Sequence, residues 1–262
     1  MGIADFSLAG KKAVIMGGRK GLGKAFALTF AEAGADVAVG DVVADDGMLN
    51  TVAEQIRKYG RKGVVAQVDF SKKSDIDSFV RKVMSEFGTI DIWANVGVMY
   101  QDSRLLALSE HDWDVLTNID LKGYWLACQA VAPIMVERRK GSIINMSSQA
   151  GIKPQFPVSS LGNYSITKAA IIMLTKQLAM DLARDNVRVN AIALSQVPFD
   201  PPPTDPAMVQ REKMTLEWMA SHTPMKRNAE HREIADGALF LASDASSYVT
   251  GHVLIIDGGF IL

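Results

Sequence analysis

Residues 12–26 read KAVIMGGRKGLGKAF, a short apolar run followed at once by a turn with glycines at 17, 18, 21 and 23. The apolar run predicts a buried strand, and the residues after the turn predict a helix. Glycines at such a junction permit a tight strand-to-helix turn and let backbone N–H groups approach an anion at the helix N-terminus. This stretch therefore predicts a parallel α/β fold that begins with a phosphate-binding turn.

The same alternation of short apolar runs and longer amphipathic stretches continues to the end of the chain. Seven runs are rich in valine and isoleucine and nearly continuous, which is typical of strands buried on both faces. They cover residues 12–16, 36–41, 63–69, 90–97, 141–148, 187–194 and 252–257. No linker separates them, so we expect residues 1–262 to form one α/β domain of the Rossmann type. Its core would be a doubly wound, seven-stranded parallel sheet with helices on both faces.

Two segments between the predicted strands carry more specific expectations. In the first, Ser74 is a suitable N-cap and Gly88 a suitable stop for a helix. In the second, residues 195–209 hold five of the nine prolines and predict irregular structure, followed by a short amphipathic helix over 210–222. We expect residues 195–222 to form a substrate loop or lid, the alternative being a surface loop without a function.

Composition excludes several classes of protein. The 262 residues carry a net charge of −1, without the excess of basic residues that is typical of nucleic-acid binding. The single cysteine, Cys128, excludes an internal disulfide and a thiolate cluster, and the four scattered histidines suggest no metal site. The N-terminus lacks the apolar core of a signal peptide, and no apolar run approaches the roughly 20 residues that span a bilayer. We therefore expect a cytoplasmic protein without a metal, a nucleic-acid partner or a membrane segment.

The end of the second predicted strand indicates which nucleotide the turn would bind. Asp41 lies there, 18 residues after Gly23. A carboxylate at this place can accept hydrogen bonds from the ribose hydroxyls of NAD and would repel the 2′-phosphate of NADP. Arg19 and Lys20, inside the turn, favour the phosphate instead. Repulsion at short range in a partly desolvated pocket is costly, so NAD is the preferred cofactor and NADP the alternative.

Further motifs follow in a recognisable order. They are GGRKGLG at 17–23, VDF at 68–70, ANVG at 94–97, Asn118 in LTNIDLKGYW, NMSS at 145–148, Tyr164 and Lys168 in YSITK, and YVTGHVLIIDGG at 248–259. In this order and spacing the chain resembles the short-chain dehydrogenase/reductase family over essentially its whole length. The resemblance implies an NAD-dependent oxidoreductase that interconverts a secondary alcohol and a ketone.

The resemblance also implies a catalytic role for four residues. Tyr164 would be the general acid/base, although a free tyrosine has a pKa of about 10. Lys168, one helical turn later, would place a cation beside the phenol and lower this pKa. Ser148 would polarise the substrate oxygen, with Ser147 as the fallback. Asn118 would hold a water that relays the proton through Lys168.

The cofactor would be held by residues from several of these motifs. The resemblance implies contacts from Gly17, Arg19, Lys20, Gly21, Leu22, Gly23, Asp41, Asp69, Phe70, Asn95, Gly97, Tyr164, Lys168 and Val197. Substrate-lining candidates are Trp93, Met99, Gln149, Gln155, Phe156 and parts of 195–220. These mix amides with aromatic and apolar groups and do not identify the substrate.

The chain departs from the family pattern at several positions around the cofactor. The family usually has threonine where this chain has Met16, asparagine where it has Ala94, and Pro-Gly where it has Leu194-Ser195. A threonine expected a few residues later aligns with Phe199. The departures predict a looser turn, or one braced by other groups, and leave the catalytic residues unchanged.

Two other functions remain open. One is an NADP-dependent 3-oxoacyl or carbonyl reductase, if Arg19 and Lys20 outweigh Asp41. The other is a nucleotide-binding protein without turnover, which the intact Tyr164–Lys168 pair argues against. The family resemblance also implies a homo-oligomer, a tetramer or a dimer, built through the helices near 110–138 and 163–184 and the C-terminal strand.

Overall fold

Seven parallel strands form one sheet at the centre of the protein. The computed structural model describes residues 3–99, 104–154 and 162–262. The strands are β1 (Lys12–Met16), β2 (Asp36–Asp41), β3 (Gly63–Gln67), β4 (Ile92–Asn95), β5 (Gly141–Met146), β6 (Val187–Leu194) and β7 (Val253–Ile256). Their order is β3-β2-β1-β4-β5-β6-β7, and every neighbouring pair is parallel. The predicted seven-stranded, doubly wound sheet is therefore confirmed.

Helices connect the strands and cover both faces of the sheet. They are α1 (Gly21–Glu32), α2 (Met48–Lys58), α3 (Lys73–Phe87), α4 (Glu110–Thr117), α5 (Gly123–Glu137), α6 (Tyr164–Leu182), α7 (Pro206–His222) and α8 (His231–Ala242). A single π-helical turn, Asn118–Lys122, joins α4 directly to α5. Short 3₁₀ turns complete the described structure.

Two helix starts differ from the sequence-based expectation. Ser74 is not an N-cap, because α3 begins one residue earlier and the Ser74 hydroxyl bonds to Asp75. The chain turns into α3 directly after Asp69, whose carbonyl accepts the Lys72 N–H. Helix α7 begins at Pro206, inside the stretch predicted to be irregular. Proline is tolerated in the first helical turn, where its missing N–H would have no partner, and the Asp205 carboxylate caps that turn.

The strand order places a crevice between β1 and β4. From β1 the chain proceeds outward to β2 and β3, then returns to the other side of β1 and continues outward from β4 to β7. The connections after β1 and β4 therefore leave in opposite directions. In open parallel sheets, ligands bind in the crevice at the carboxyl ends of the strands at such a switch point.

Two apolar clusters, one on each face, fix the sheet against its helices. One joins α1, α2 and α8 through residues such as Phe26, Ile56 and Leu241, all fully buried. The other joins α3 and α5 to the opposite face. Trp93, predicted to line the substrate site, is fully buried in this second cluster against Phe79. It belongs to the core because its position on β4 turns its indole toward α3.

Candidate active site

The glycine turn lies at the switch point and packs so closely at Gly17 and Gly23 that neither position has room for a side chain. A Cβ on Gly23 would lie 1.9 Å from the carbonyl oxygen of Gly17, and one on Gly17 would lie 2.2 Å from the Cα of Gly97. Gly17 also has a φ of +87°, which favours glycine. The turn after β1 is thus pressed against the chain after β4, as the close approach of backbone to a phosphate requires.

Backbone hydrogen bonds brace this turn where a threonine was expected. The carbonyl oxygen of Met16 accepts the N–H groups of Val96 and Gly97, at 2.9 and 2.8 Å. The Gly17 N–H donates to the Gly40 carbonyl at 2.7 Å. Met16 itself is buried in the core. The predicted looseness is therefore offset by bonds between β1, β2 and β4.

The N-terminus of α1 fits a pyrophosphate. Its N-cap, Lys20, makes no side-chain capping bond, so the first backbone N–H groups are not satisfied by a cap. The Gly21 N–H donates to the Asp200 carbonyl at 2.9 Å, and Lys24 pairs with the Asp200 carboxylate at 3.4 Å. The proline-rich loop thus lies over the turn that would hold the phosphates. Leu22 packs into the core below this turn.

Asp41, which was predicted to favour NAD, and Arg19, which was predicted to favour NADP, form an ion pair. The Arg19 Nε atom lies 3.5 Å from Asp41 Oδ1, and the backbone N–H of Arg19 donates to Asp41 Oδ2 at 3.3 Å. The same guanidinium also pairs with Asp46. Two carboxylates therefore already offset its charge, while Lys20 is exposed.

Asp69 and Phe70 follow β3 at the same edge of the sheet. Hydrogen bonds from Ser71 and Lys72 hold the Asp69 carboxylate, and although burial opposes them, they lower its pKa below its usual value. Phe70 packs on Gly97, where a Cβ would lie 2.0 Å from its ring. Phe70 and Gly97 are therefore in contact, although 27 residues separate them.

The Asn95 side chain is committed to the interior. It accepts a hydrogen bond from Trp93 Nε1 at 2.8 Å and donates to Asn145 Oδ1 at 2.9 Å. Asn145 in turn donates to Thr175 on α6. This buried chain of amides ties β4 and β5 to the helix that carries Tyr164 and Lys168.

Lys168 lies in a fully enclosed pocket of polar and aromatic groups. Only 1% of its side chain is exposed. Its ammonium donates to the Met146 carbonyl at 3.2 Å and lies 3.3 Å from Asp120 Oδ2. The rings of Tyr124 and Tyr164 each lie 5.4 Å from the ammonium, within cation–π range. A lysine whose amine reached the solvent would be exposed. Lys168 is not, so the lysine of the sequence motif is a buried charge.

The two serines after β5 have different partners. The Ser147 hydroxyl donates to the backbone carbonyl of Lys168 at 2.8 Å and is buried. The Ser148 hydroxyl accepts the Ala150 N–H at 3.1 Å and hydrogen-bonds with Tyr164. Ser147 thus anchors α6 to the sheet, whereas Ser148 lies beside the phenol.

The protein alone raises the pKa of Tyr164 rather than lowering it. Burial is the largest cause, the negative charge of Asp120 is the next, and the hydrogen bond with Ser148 acts in the opposite direction. From the sequence, Lys168 was predicted to lower this pKa. The Asp120 carboxylate beside the ammonium was not predicted, and its negative charge acts in the opposite direction.

Asp120 was not singled out in the sequence. It is fully buried in the π-helical turn, where Oδ1 accepts the Met99 N–H at 2.8 Å and Oδ2 faces Lys168. π-Helical turns of this kind occur frequently at functional sites. A signal was present, because Asp120, Tyr124 and Cys128 recur every four residues on the buried face of an apolar helix.

Other predicted site residues lie at the margins of this group. Asn118 is half-buried at the start of the π-helical turn, and the hydrogen bonds of Lys168 in the described parts of the chain do not include its side chain. Val197 packs on the core after β6. The Gln149 side chain is buried beside Ser148, and among the described residues its Oε1 atom has no hydrogen-bond partner. Gln155 and Phe156 lie outside the described residues.

No group of three or more potential metal ligands occurs within residues 3–99, 104–154 and 162–262. In the same ranges, no helix is both long and apolar enough to cross a bilayer.

Comparisons with known proteins agree with this geometry. The family model described as enoyl-(acyl carrier protein) reductase matches residues 17–261. A 3-oxoacyl-acyl-carrier-protein reductase of Thermotoga maritima is 36% identical over 97% of this chain and 99% of its own. The chain belongs to the short-chain dehydrogenase/reductase family. It is therefore an oxidoreductase that acts on CH–OH groups.

Other members of the family show how widely its substrates vary. A hydroxy(phenyl)methylsuccinyl-CoA dehydrogenase subunit, BbsD, of Thauera aromatica is 35% identical over 94% of this chain and 95% of its own. The crystal structure of a short-chain dehydrogenase/reductase from Mycobacterium marinum superposes with a TM-score of 0.88, at 30% identity and 99% coverage of both chains. The fold of this short-chain dehydrogenase/reductase is thus shared along its whole length.

Proposed function

We propose that this chain is an NAD-dependent dehydrogenase/reductase that interconverts a secondary alcohol and a ketone, with Tyr164 as the general acid/base. The observation that carries the proposal is the enclosed Lys168 ammonium beside the Tyr164 ring, with Ser148 hydrogen-bonded to the phenol. All three lie near the carboxyl end of β5, next to the switch point between β1 and β4.

Each residue has a distinct part in the reaction. NAD supplies the hydride acceptor for oxidation, and NADH the donor for reduction. Tyr164 takes the hydroxyl proton of the alcohol or returns it to the ketone oxygen. Ser148 donates a hydrogen bond to the same oxygen and polarises the carbonyl. Lys168 stabilises the phenolate electrostatically. Asn118 would hold a water for proton exchange.

The cofactor would lie between the glycine turn and the Tyr164 site. The turn of Gly17, Gly21 and Gly23 suits the pyrophosphate, because the backbone at Gly17 and Gly23 packs too closely for a Cβ and the α1 N-terminus lacks a side-chain cap. Asp41 suits the ribose hydroxyls. A 2′-phosphate would have to displace Asp41 and Asp46 from Arg19, and this pairing supports NAD over NADP.

A second candidate is an NADP-dependent 3-oxoacyl or carbonyl reductase. The relative from Thermotoga maritima, named as a 3-oxoacyl-acyl-carrier-protein reductase, supports this alternative. Arg19 would then leave its carboxylates and bind the 2′-phosphate. Both candidates use the same catalytic group and differ at Asp41.

Titration of the purified protein with NADH and NADPH, followed by nucleotide fluorescence, tests the cofactor. Tighter binding of NADH supports the first candidate, and tighter binding of NADPH the second. Turnover is then measured with secondary alcohols and with a 3-oxoacyl thioester. The variant Tyr164→Phe should bind the cofactor normally and lose nearly all turnover, and full activity in this variant contradicts the mechanism.

The loop and helix over 195–222 are proposed to form a substrate loop or lid. The Phe199 N–H donates to Glu212 on α7 at 2.5 Å, so the loop and the helix are joined. Asp200 joins the same loop to the glycine turn. Entry of the cofactor would require these bonds to Gly21 and Lys24 to break.

A cytoplasmic homo-oligomer, a tetramer or a dimer, is also proposed. Apolar side chains on the outer surfaces of two long helices support it, because Trp125 on α5 is partly exposed and Met173 and Met180 on α6 are largely exposed in the single chain. Light scattering coupled to size exclusion measures the mass in solution, and a monomer would contradict the proposal.

A further inference from the structure

Asp120 and Lys168 form a buried ion pair at the centre of the site. The carboxylate is fully buried and the ammonium is 1% exposed, and 3.3 Å separates the two. A buried charge that loses its partner is strongly destabilising, so each of these groups needs the other. The pair joins the π-helical turn before α5 to the helix that carries Tyr164.

A backbone hydrogen bond to the Asp120 carboxylate orients it toward the lysine. The Met99 N–H donates to Oδ1 at 2.8 Å, which leaves Oδ2 to face the ammonium. On its other side the ammonium donates to the Met146 carbonyl at 3.2 Å. Lys168 is thus held between the backbone carbonyl at the end of β5 and a carboxylate from the π-helical turn.

The pair is surrounded by a small set of titratable groups. Among the described residues these are Tyr164 on the helix of Lys168, and Tyr124 and Cys128 on α5. The strand β5 and the chain after it contribute Met146 and Ser148, neither of which is charged. Asp120 is therefore the source of negative charge that the described residues place against Lys168 and Tyr164.

We propose that Asp120 is a positioning residue that holds the Lys168 ammonium in place and, by offsetting its charge, sets the pH at which Tyr164 changes from acid to base. The proposal rests on the proposed role of Tyr164. Because the Asp120 carboxylate offsets its charge, the lysine stabilises the phenolate less than an unpaired ammonium would. Removal of the negative charge should make the phenol ionise at lower pH.

The shifts in the pKa values of Tyr164 and Asp120 agree with this effect of the ion pair. The Asp120 charge raises the pKa of Tyr164, after the larger effect of burial. Burial raises the pKa of Asp120 itself, while the charge of Lys168 lowers it. The charge of Asp120 therefore links its own protonation to that of Tyr164.

The variant Asp120→Asn tests the proposal, since it keeps an acceptor for the Met99 N–H and removes the charge. The apparent pKa in the pH profile of kcat/KM for alcohol oxidation should fall by about one unit or more, because a neighbouring negative charge that disfavours the phenolate is removed. The alkaline limb for ketone reduction should move in the same direction. Asp114→Asn, the same change at an exposed site on α4, is the matched control and should leave both limbs unmoved.

A second readout needs no turnover. The phenolate absorbance of Tyr164 is obtained as the difference between proteins with and without Tyr164→Phe, in the wild-type and Asp120→Asn backgrounds. The Asp120→Asn pair should show this absorbance at lower pH. Asp120→Glu, which keeps the charge, should restore the wild-type profile.

The outcomes separate this proposal from the proposed function. A wild-type protein without turnover, or a fully active Tyr164→Phe variant, contradicts the proposed function. A folded Asp120→Asn protein with unmoved profiles contradicts the role of Asp120 alone. If Asp120→Asn and Asp120→Glu both fail to fold, the position serves packing and the proposal is overturned. If only the Glu variant folds and keeps the wild-type profile, the need for the charge is supported.

Discussion

Replacement of Gly23 by alanine should separate cofactor binding from overall folding. A Cβ at this position would lie 1.9 Å from the Gly17 carbonyl oxygen and 2.7 Å from the Gly18 Cα, and both are backbone atoms. An ordinary carbon–oxygen contact is about 3.3 Å, so the carbonyl would have to retreat by about 1.4 Å. No flexible side chain can absorb this shift. The turn after β1 must move away from the start of α1.

The magnitude of the effect follows from this displacement. A misplacement of about 1 Å in a binding group can cost about 100-fold, and we expect NADH affinity to fall by about that factor. Overpacking of this kind costs about 1–3 kcal/mol of stability. The melting temperature should then fall by about 2–4 °C for each kcal/mol in a chain of this size.

The assay is titration with NADH followed by fluorescence, beside thermal unfolding of the same samples. Gly88→Ala is the matched control: Gly88 ends α3 with a φ of +73° and has open space around its Cα. That variant should lose about 1–2 kcal/mol to backbone strain and keep its affinity for NADH. A Gly23→Ala protein that binds NADH as tightly as the wild type would refute the assignment of the glycine turn.

Three further predictions concern single side chains. Ser148→Ala should lower kcat by about 100-fold or more, as expected when one donor to a reacting oxygen is lost. Ser147→Ala should chiefly lower the melting temperature. If kinetics and thermal unfolding of the two variants gave the reverse result, the roles of the two serines would be exchanged. Asp41→Ala should raise NADPH affinity relative to NADH, since it removes one of the two carboxylates that pair with the Arg19 guanidinium, and an unchanged ratio in the fluorescence titration would exclude Asp41 as the selector. The hydrogen bonds from Arg227 lower the pKa of Glu233 from 4.5 to about 2. The stability that this pair contributes is therefore complete above about pH 4.5 and lost as the pH falls toward 2; Glu233→Gln should lose this part of the pH dependence in urea unfolding, and an identical dependence would contradict the assignment.

Much of the fold follows from local patterns in the chain. The seven strands were predictable because parallel strands buried on both faces have nearly continuous apolar sequences. Gly88 was correctly predicted to end α3, where it adopts a left-handed conformation. The starts of α3 and α7 were misplaced, since capping depends on which side chain reaches the first turn, and Asp205 does so for α7.

The candidate site was predictable only where a motif carries it. The glycine turn, Asp41, Ser148, Tyr164 and Lys168 were named from the sequence, and the structure brings the last three together. The ion pair between Arg19 and Asp41 was not foreseen, because it depends on how the turn after β1 lies against the end of β2. The burial of Trp93 depends likewise on the face of β4 that packs on α3.

The sequence by itself determined the α/β fold, the family and the identity of the Tyr164–Lys168 pair, because each depends on spacing along the chain. The tertiary structure decided which charges surround that pair. Asp120 lies 48 residues before Lys168, and only the π-helical turn and its packing against α6 bring the two within 3.3 Å. Charge interactions depend on distance and burial in space, and neither can be read from the order of residues in the chain.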